Sequence, residues 1–395
     1  MIEVSFWLAL LFLVYTFLGY PFVIWLFSRL RPSAVARGDL TPPVSIVIVA
    51  YNEEQGIGRK IESCLAQTYP VRNIEIIVTS DGSSDQTAGK VRQYENRGVR
   101  LLAFAERRGK AACLNDAVQA CRTDHIVFSD ARQRLDTNAV AALMRNFGDP
   151  SVGAVSGELV FESTMNGEFS KGVDAYWKYE KFLRQAEGRV DSVVGATGAL
   201  YAIRRMYFQP IPAGTILDDV LIPMNIVLQG MRVVFEPAAK VFDVPSPDAA
   251  SEERRKRRTL AGNYQVIALR PALLNPFKNR LWLQYVSHKV ARLLAPFVML
   301  AALTMNVLLA GSSSLYAVFL AMQLLLYGAA FLGILRPTCL RYAVIRFPAT
   351  FCTFNWYAVL GLVDFVGNRN IHLWQRQGPE QRLPGRTSIN TKPVD

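Results

Sequence analysis

The chain has 395 residues, of which 51% are AVILMFWYC and 19% are Asp, Glu, Lys or Arg, and its mean hydropathy is +0.17. This excludes a mini-protein and a disordered chain, and it exceeds the apolar content of most soluble domains, so part of the chain is expected in lipid. Lys and Arg outnumber Asp and Glu by 44 to 32, a net charge of +12, which suggests an anionic partner: a phosphorylated ligand, lipid headgroups or nucleic acid.

Residues 4–28 carry no charge, and Arg29, Arg31 and Arg37 follow. The run is long enough to cross a hydrocarbon core of about 30 Å. A signal peptide would have a shorter apolar core and would begin with its basic residues. Residues 1–30 are therefore expected as a transmembrane helix, and the positive-inside rule puts the amino terminus outside and the next block in the cytoplasm. That block, 42–262, is polar enough for a globular domain. Its first half alternates Val- and Ile-rich runs at 44–54, 74–85, 99–104 and 124–132 with helix-like segments. Continuous apolar strands separated in this way predict an α/β, doubly wound, mostly parallel sheet.

Residues 263–290 mix apolar positions with Arg270, Lys278, Arg280 and Lys289 and read as an amphipathic interface segment. The region 291–367 reads as two or three membrane spans. Two are expected at 291–310 and 315–335, divided at Gly311. A third apolar stretch, 347–363, either crosses or lies re-entrant, because three crossings would put the basic tail outside against its charge. Residues 368–395 read as a disordered tail. The five cysteines have no C-x-x-C spacing, and His125, His288 and His372 are far apart. A disulfide framework, a zinc knuckle and a His-rich metal site are all disfavoured, so any metal would need carboxylate and phosphate ligands.

Ligands of such sheets bind at the carboxyl ends of the strands. Polar residues gather there: Tyr51, Asn52 and Glu53 after the first strand, Asp81 after the second and Asp130 after the fourth. Each by itself suits a turn or a helix cap, whereas three acidic sites on one edge point to a site. Gly56 and Gly58 do not continue as G-x-G-x-x-G, and Gly109-Lys110 lacks the upstream Gly and the Ser or Thr of a P-loop.

The arrangement resembles glycosyltransferase family 2, the family of cellulose, chitin and hyaluronan synthases. The likeness runs over about 43–262 and rests on six motifs in order: VIVAYNEE (47–54), SDGSSDQT (80–87), RGKAACLN (108–115), SDAR (129–132), GATGALY (195–201) and LDD (217–219). It implies a GT-A-like fold. It implies nucleotide-sugar contacts at Ala50, Tyr51, Asn52, Glu53, Asp81 (to the base), Lys110, Asp130 and Arg132, and an acceptor-side loop holding Thr197 and Gly198. RxxRTxxG (255–262) sits where synthases carry Q-x-x-R-W, which implies that Arg258 clamps the diphosphate, with Arg255 beside it. Three substitutions depart from the pattern, one of them Arg255 in place of the synthase Gln. Arg132 replaces the second acid of D-x-D, leaving metal to Asp130 and phosphate oxygens or adding positive charge of its own. Thr259 replaces the synthase Trp, which puts processive polymerisation in doubt. Trp374-Gln375-Arg376 weakly resembles a W-x-x-R region.

Transfer from a nucleoside diphosphate sugar builds charge on the leaving diphosphate, which Mg²⁺ or Mn²⁺ held by a carboxylate neutralises. Asp130 is the expected metal ligand. The attacking hydroxyl must lose a proton to a carboxylate on the opposite face. Asp219 is the expected base and Asp218 the second choice, although both would also favour the start of a helix. The expected enzyme is an inverting glycosyltransferase in a bacterial-type inner membrane, its catalytic domain cytoplasmic. It would take a nucleotide sugar, a UDP-sugar by family habit, and a lipid-linked or polysaccharide acceptor. Membrane lipids are expected partners and nucleic acid is not, because the basic run 254–258 lacks interleaved aromatics. The alternatives are a polyprenyl-phosphate sugar transferase and a non-catalytic nucleotide-sugar-binding subunit of a polysaccharide export complex.

Overall fold

The computed structural model describes residues 1–162, 168–244 and 249–367. The expected tail and its Trp374-Gln375-Arg376 motif lie outside the described residues. The first strand, β1 (Val44–Ala50), is buried along its whole length, as an uninterrupted VSIVIVA run requires when both faces of a sheet are covered. Its side chains alternate between two cores. Val47 and Val49 pack with Leu114 and Leu221 on one face, and Ile46 and Ile48 with Ile57 and Ile61 on the other.

Strands β2 (Ile74–Asp81), β3 (Val99–Phe104), β4 (His125–Phe128), β5 (Arg134–Leu135), β6 (Val152–Phe161), β7 (Tyr201–Arg204) and β8 (Arg232–Asp243) complete an eight-stranded sheet in the order β3-β2-β1-β4-β7-β6-β8-β5. The pairs β1–β2, β1–β4 and β2–β3 are parallel. This is the expected doubly wound half, and β1 lies at its switch point, with β2 on one side and β4 on the other. The second half is mixed: β7 runs antiparallel to β4 and to β6, while β6 pairs parallel with β8. The sheet is therefore GT-A-like and mostly parallel.

Helices α1 (Ile2–Leu30), α2 (Ile57–Leu65), α3 (Lys110–Ala120), α4 (Glu168–Val190), α5 (Asp218–Leu228), α6 (Ala249–Leu269), α7 (Trp282–Leu309), α8 (Ser314–Leu335) and α9 (Ala343–Gly367) position the site and its membrane flank. Among the described residues, α1, α7, α8 and α9 are long and apolar enough to cross a membrane. Helix α1 is about 43 Å long, more than the roughly 30 Å of a hydrocarbon core. Its first turns meet the α7–α8 corner through Phe6, Leu309 and Tyr316. The surplus at its other end packs Tyr20 and Ile24 on Leu183 and Ala186 of α4.

The segment 263–290 is not one amphipathic element. Helix α6 continues to Leu269 and stops before Pro271, which lacks an N–H and disfavours helical backbone at Arg270. After a short turn, α7 begins at Trp282, nine residues before the expected span. Nor do its basic residues all face lipid. Arg280 makes two bonds to Asp191, at 2.9 and 3.1 Å, and Arg270 donates to Asn225. His288 is buried between Glu187 (2.7 Å) and Glu180 (3.1 Å), and Arg292 pairs with Glu180 as well. Tyr20 of α1 donates to Glu187 at 2.6 Å. The stretch expected to cross or re-enter is the 25-residue helix α9, which lies along α6 with Gly361 against Leu260 and Ala261, and Asp364 paired with Arg257.

The Glu187 carboxylate thus ties two apolar helices to the sheet domain. Replacing one partner of a buried ionic cluster strands the others and costs about 3 kcal/mol or more. Glu187→Ala should therefore lower the thermal unfolding midpoint in detergent by several degrees. An unchanged midpoint would mean that this contact does not hold the domain to its helices.

Candidate active site

The loop after β1 bends at Asn52, whose φ of +52° is the one left-handed non-glycine backbone among the described residues. Asn tolerates that region because its side chain bonds locally, and Asn52 Oδ1 accepts from Ser84 N–H at 2.9 Å while its own N–H donates to Ser83 Oγ at 3.2 Å. Glu53 N–H donates to Thr87 Oγ1 at 2.8 Å. The first two motifs are therefore latched together at the ends of β1 and β2. Tyr51 lies under the Arg107 guanidinium, 3.8 Å from ring centre to carbon. Gly82 allows the second turn to pass close to the loop after β3: its φ is +62°, and a Cβ there would lie 2.6 Å from the Arg107 amide.

Asp81, expected to face a base, is buried. Its carboxylate accepts from the backbone N–H groups of Arg108 (2.7 Å) and Gly109 (3.0 Å). It thereby fixes the turn that launches α3, and α3 begins at Lys110. The Lys110 ammonium reaches across the carboxyl edge of the sheet to Asp130 Oδ1 at 2.8 Å and Asp218 Oδ1 at 3.1 Å. Burial works against its charge, but the three nearby carboxylates, Asp130, Asp218 and Asp219, outweigh it and hold the ammonium above its ordinary range. Three motifs, the last of them 85 or more positions beyond the other two, are thus joined through one cation.

Asp218 and Asp219 open α5, as their helix-dipole preference allows. Their surroundings separate them. Asp218 is buried, bound to Lys110 and to the Tyr201 hydroxyl at 3.4 Å. Asp219 is half-buried and faces the GATG loop, where a Cβ on Gly198 would stand 2.8 Å from its Oδ2. Only glycine lets the loop approach so closely. Burial first, then the charge of Asp218, raises the Asp219 carboxyl to about 6, with Lys110 opposing. Thr197 is held by Ser156, whose Oγ accepts its N–H at 3.0 Å, and by Arg184 Nη1 at 2.7 Å.

Other expected residues have different neighbours. Ala50 is buried at the end of β1 and offers backbone alone. Arg132 pairs with the buried Asp243 at 2.6 Å, and Gln133 also donates to that carboxylate. Arg255 pairs with Glu252 one turn away and leans over the Trp177 ring. Arg258, in contrast, reaches the segment just before Asp218, with Nη2 3.4 Å from the Ile216 carbonyl and a buried Nε without a partner. Lys60, Arg184 and Tyr201 were not singled out by sequence. Lys60 had a legible signal: it shares the apolar i, i+3, i+4, i+7 face of α2 with Ile57, Ile61 and Cys64. Its buried ammonium donates to Ser129 Oγ at 2.6 Å and to the Gln133 carbonyl at 3.0 Å, bracing the turn that carries Asp130.

The donor set suits at most a shared metal site. Among the described residues no group of three or more His, Cys, Asp or Glu could hold an ion. Asp130, with its side chain 35% exposed, presents one carboxylate. That fits a cation completing its shell with diphosphate oxygens and water, the habit of Mg²⁺ at phosphate sites.

Residues 45–211 match the family model described as glycosyl transferase family 2. They form a glycosyl transferase family 2 domain. The match ends before Asp218, so the two α5 carboxylates join the site by geometry. Poly-beta-1,6-N-acetyl-D-glucosamine synthase of Staphylococcus aureus (strain COL) is 24% identical over 231 residues, 57% of this chain and 55% of that protein. The Staphylococcus epidermidis synthase is 30% identical over 116 residues, 29% of this chain and 28% of that one. The chain thus spans about half the length of the Staphylococcus aureus relative. The mannosyltransferase PcManGT from Pyrobaculum calidifontis, solved with GDP-Man and Mn²⁺, superposes with a TM-score of 0.69 at 23% identity, over 93% of this chain and 99% of that one. The fold of the family 2 domain and its helical flank is therefore shared.

A base works only when ionised, so an Asp219 carboxyl near 6 sets a definite acid limb. Transfer should be flat above about pH 7 and fall about tenfold per unit well below 6. A limb centred near pH 4 would disprove this environment for Asp219. Gly198→Ala should push the Asp219 carboxylate aside and cut turnover at least about tenfold while nucleotide affinity, read by titration, holds.

Proposed function

We propose that the chain is an inverting glycosyltransferase of polysaccharide synthesis, moving a sugar from a nucleotide sugar, probed first with UDP-sugars, to a hydroxyl of a lipid-linked or polysaccharide acceptor at the cytoplasmic face of a bacterial-type inner membrane. The observation that carries it is the pair of unlike carboxylates at the head of α5. Asp218 is neutralised by Lys110, whereas the Asp219 carboxyl is raised to about 6 and faces the acceptor-side loop. A carboxyl raised toward neutrality beside an acceptor-side loop marks a candidate base. The family 2 domain and the staphylococcal synthases support the reaction class.

The donor would lie along the latched loops after β1 and β2, with its diphosphate between Lys110, Asp130 and Arg258. Arginine's donors match phosphate oxygens. A Mg²⁺ or Mn²⁺ ion on Asp130 and the diphosphate would neutralise charge on the leaving group. Asp219 accepts the proton of the acceptor hydroxyl. That oxygen bonds to the anomeric carbon as the bond from this carbon to the phosphate oxygen breaks, the electron pair leaving with the nucleoside diphosphate. One displacement inverts the centre. Thr197 and Gly198 shape the acceptor side. Asp81, through the turn it holds, is a positioning residue for Lys110.

The decisive experiment measures nucleoside diphosphate release by the detergent-purified protein across UDP- and GDP-sugars, with Mg²⁺, Mn²⁺ or EDTA and membrane extract as acceptor. Asp219→Asn should reduce release about 100-fold or more, and Asp130→Ala should raise the metal concentration required. If Asp219→Asn transfers at full rate, the acceptor is an already ionised phosphate. Binding of nucleotide without release from any donor would make the chain a sensor or assembly subunit.

A further inference from the structure

Below the acceptor loop, where α4, α6, α7 and α9 meet, stands a second polar site. Lys256 of α6 points its ammonium into three aromatic rings, 4.0 Å from the centre of Tyr176, 5.0 Å from Trp177 and 5.1 Å from Phe354 of α9. Aromatic ring faces attract a cation. Burial lowers its pKa to about 8; Glu252 and Glu180 oppose, and Arg255 and Arg292 add to the fall. Three buried donors in this region lack a partner, the indole Nε1 of Trp177 and Nε and Nη2 of Arg292, whose Nη1 already binds Glu180; Glu187 Oε2, beyond His288, and Thr350 Oγ1 of α9 are likewise unpartnered. Buried N–H groups without acceptors carry a cost that an anionic ligand relieves.

A neutral glycan stacking on Tyr176 would compete with the ammonium 4.0 Å from that ring's centre. A phosphate instead satisfies the ammonium, the indole N–H and the guanidinium together. The apolar side of the site points to a lipid. On α9, Ile345 lines an apolar groove with Leu324, Leu325, Gly328 and Leu332 of α8. Ile345 lies nine residues, about 13 Å of helix, from Phe354, so one helix borders both the groove and the cation. On α4, Tyr176, Glu180 and Arg184 repeat every four residues and form one face. Over about 12 Å this face runs from the Lys256 cage to Arg184, which holds Thr197 beside Asp219.

We propose that the Lys256 cage binds the phosphate of a lipid headgroup and thereby docks a lipid-linked acceptor with its glycan directed at Asp219. This rests on the transferase reading above and names the substrate class. About 12 Å of α4 separates Tyr176 of the cage from Arg184 at the acceptor-side loop, so a glycosylated lipid phosphate fits, whereas a bare lipid phosphate would be held short of that loop.

Equilibrium binding to the full-length protein in mixed micelles tests this, using C55 polyprenyl phosphate, C55 polyprenol, phosphatidylglycerol and inorganic phosphate as probes, with UDP affinity measured on every sample. Polyprenyl phosphate should bind at least tenfold tighter than polyprenol. Lys256→Gln should lose that margin, and Trp177→Phe, which keeps a ring but removes the donor, should lose part of it. UDP affinity should stay unchanged in both, which shows that they fold. Equal binding of phosphatidylglycerol supports a lipid-phosphate site filled from the bilayer, and preference for the polyprenyl ester supports the carrier. Equal affinity for polyprenol, inorganic phosphate matching the lipid, or a Lys256→Gln protein that binds as wild type would each overturn the proposal. A wild type that binds neither UDP nor GDP would instead strike the transferase reading and leave the lipid result standing.

Discussion

One ammonium group organises the candidate site. Lys110 joins the start of α3, the end of β4 and the head of α5 through Asp130 and Asp218, groups that would repel one another without it. Its own charge survives partial burial only because the carboxylates outweigh the loss of solvent. The neighbouring layers serve this contact. Asp81 holds the backbone turn before Lys110, Lys60 braces the turn before Asp130, and Tyr201 supports Asp218. With Asp218 so engaged, its charge acts on Asp219 across one peptide, and burial adds to the effect. The unlike behaviour of two adjacent aspartates is thus a property of three strands and two helices rather than of either residue.

The membrane flank follows a similar logic at larger scale. Helices α1 and α7 are longer than a hydrocarbon core needs, and their surplus turns carry the polar residues that meet α4: Tyr20 on one, His288 and Arg292 on the other. Excess length becomes a socket for the catalytic domain. Because α4 also carries Arg184 to the acceptor loop, one helix connects the membrane junction to the face where Asp219 stands.

Much of this was legible in the residues. The apolar runs placed β1 to β4 within a few positions, since a strand buried on both faces must be continuously apolar, and the strand ends announced the ligand edge. The apolar lengths marked the N-terminal helix and the two spans around Gly311. Where the reading failed, a partner distant in sequence was responsible. The basic residues of 263–292 looked lipid-facing because Glu180, Glu187 and Asp191 lie about a hundred positions upstream. The bonds from backbone amides of a later loop to Asp81 were equally illegible, because that loop lies 27 positions on.

By itself the sequence determined the local and periodic properties: the α/β class, the positions of the apolar helices, the order of the motifs and the residue types able to bind a nucleotide diphosphate. These follow from side-chain chemistry and from spacing along one chain. Tertiary structure decided which charges neutralise one another, which aspartate faces the GATG loop, how the sheet reverses at β7 and where α9 lies. Electrostatics and burial depend on distance in space, and a chain folded through eight strands brings together residues whose separation in sequence says nothing of that distance.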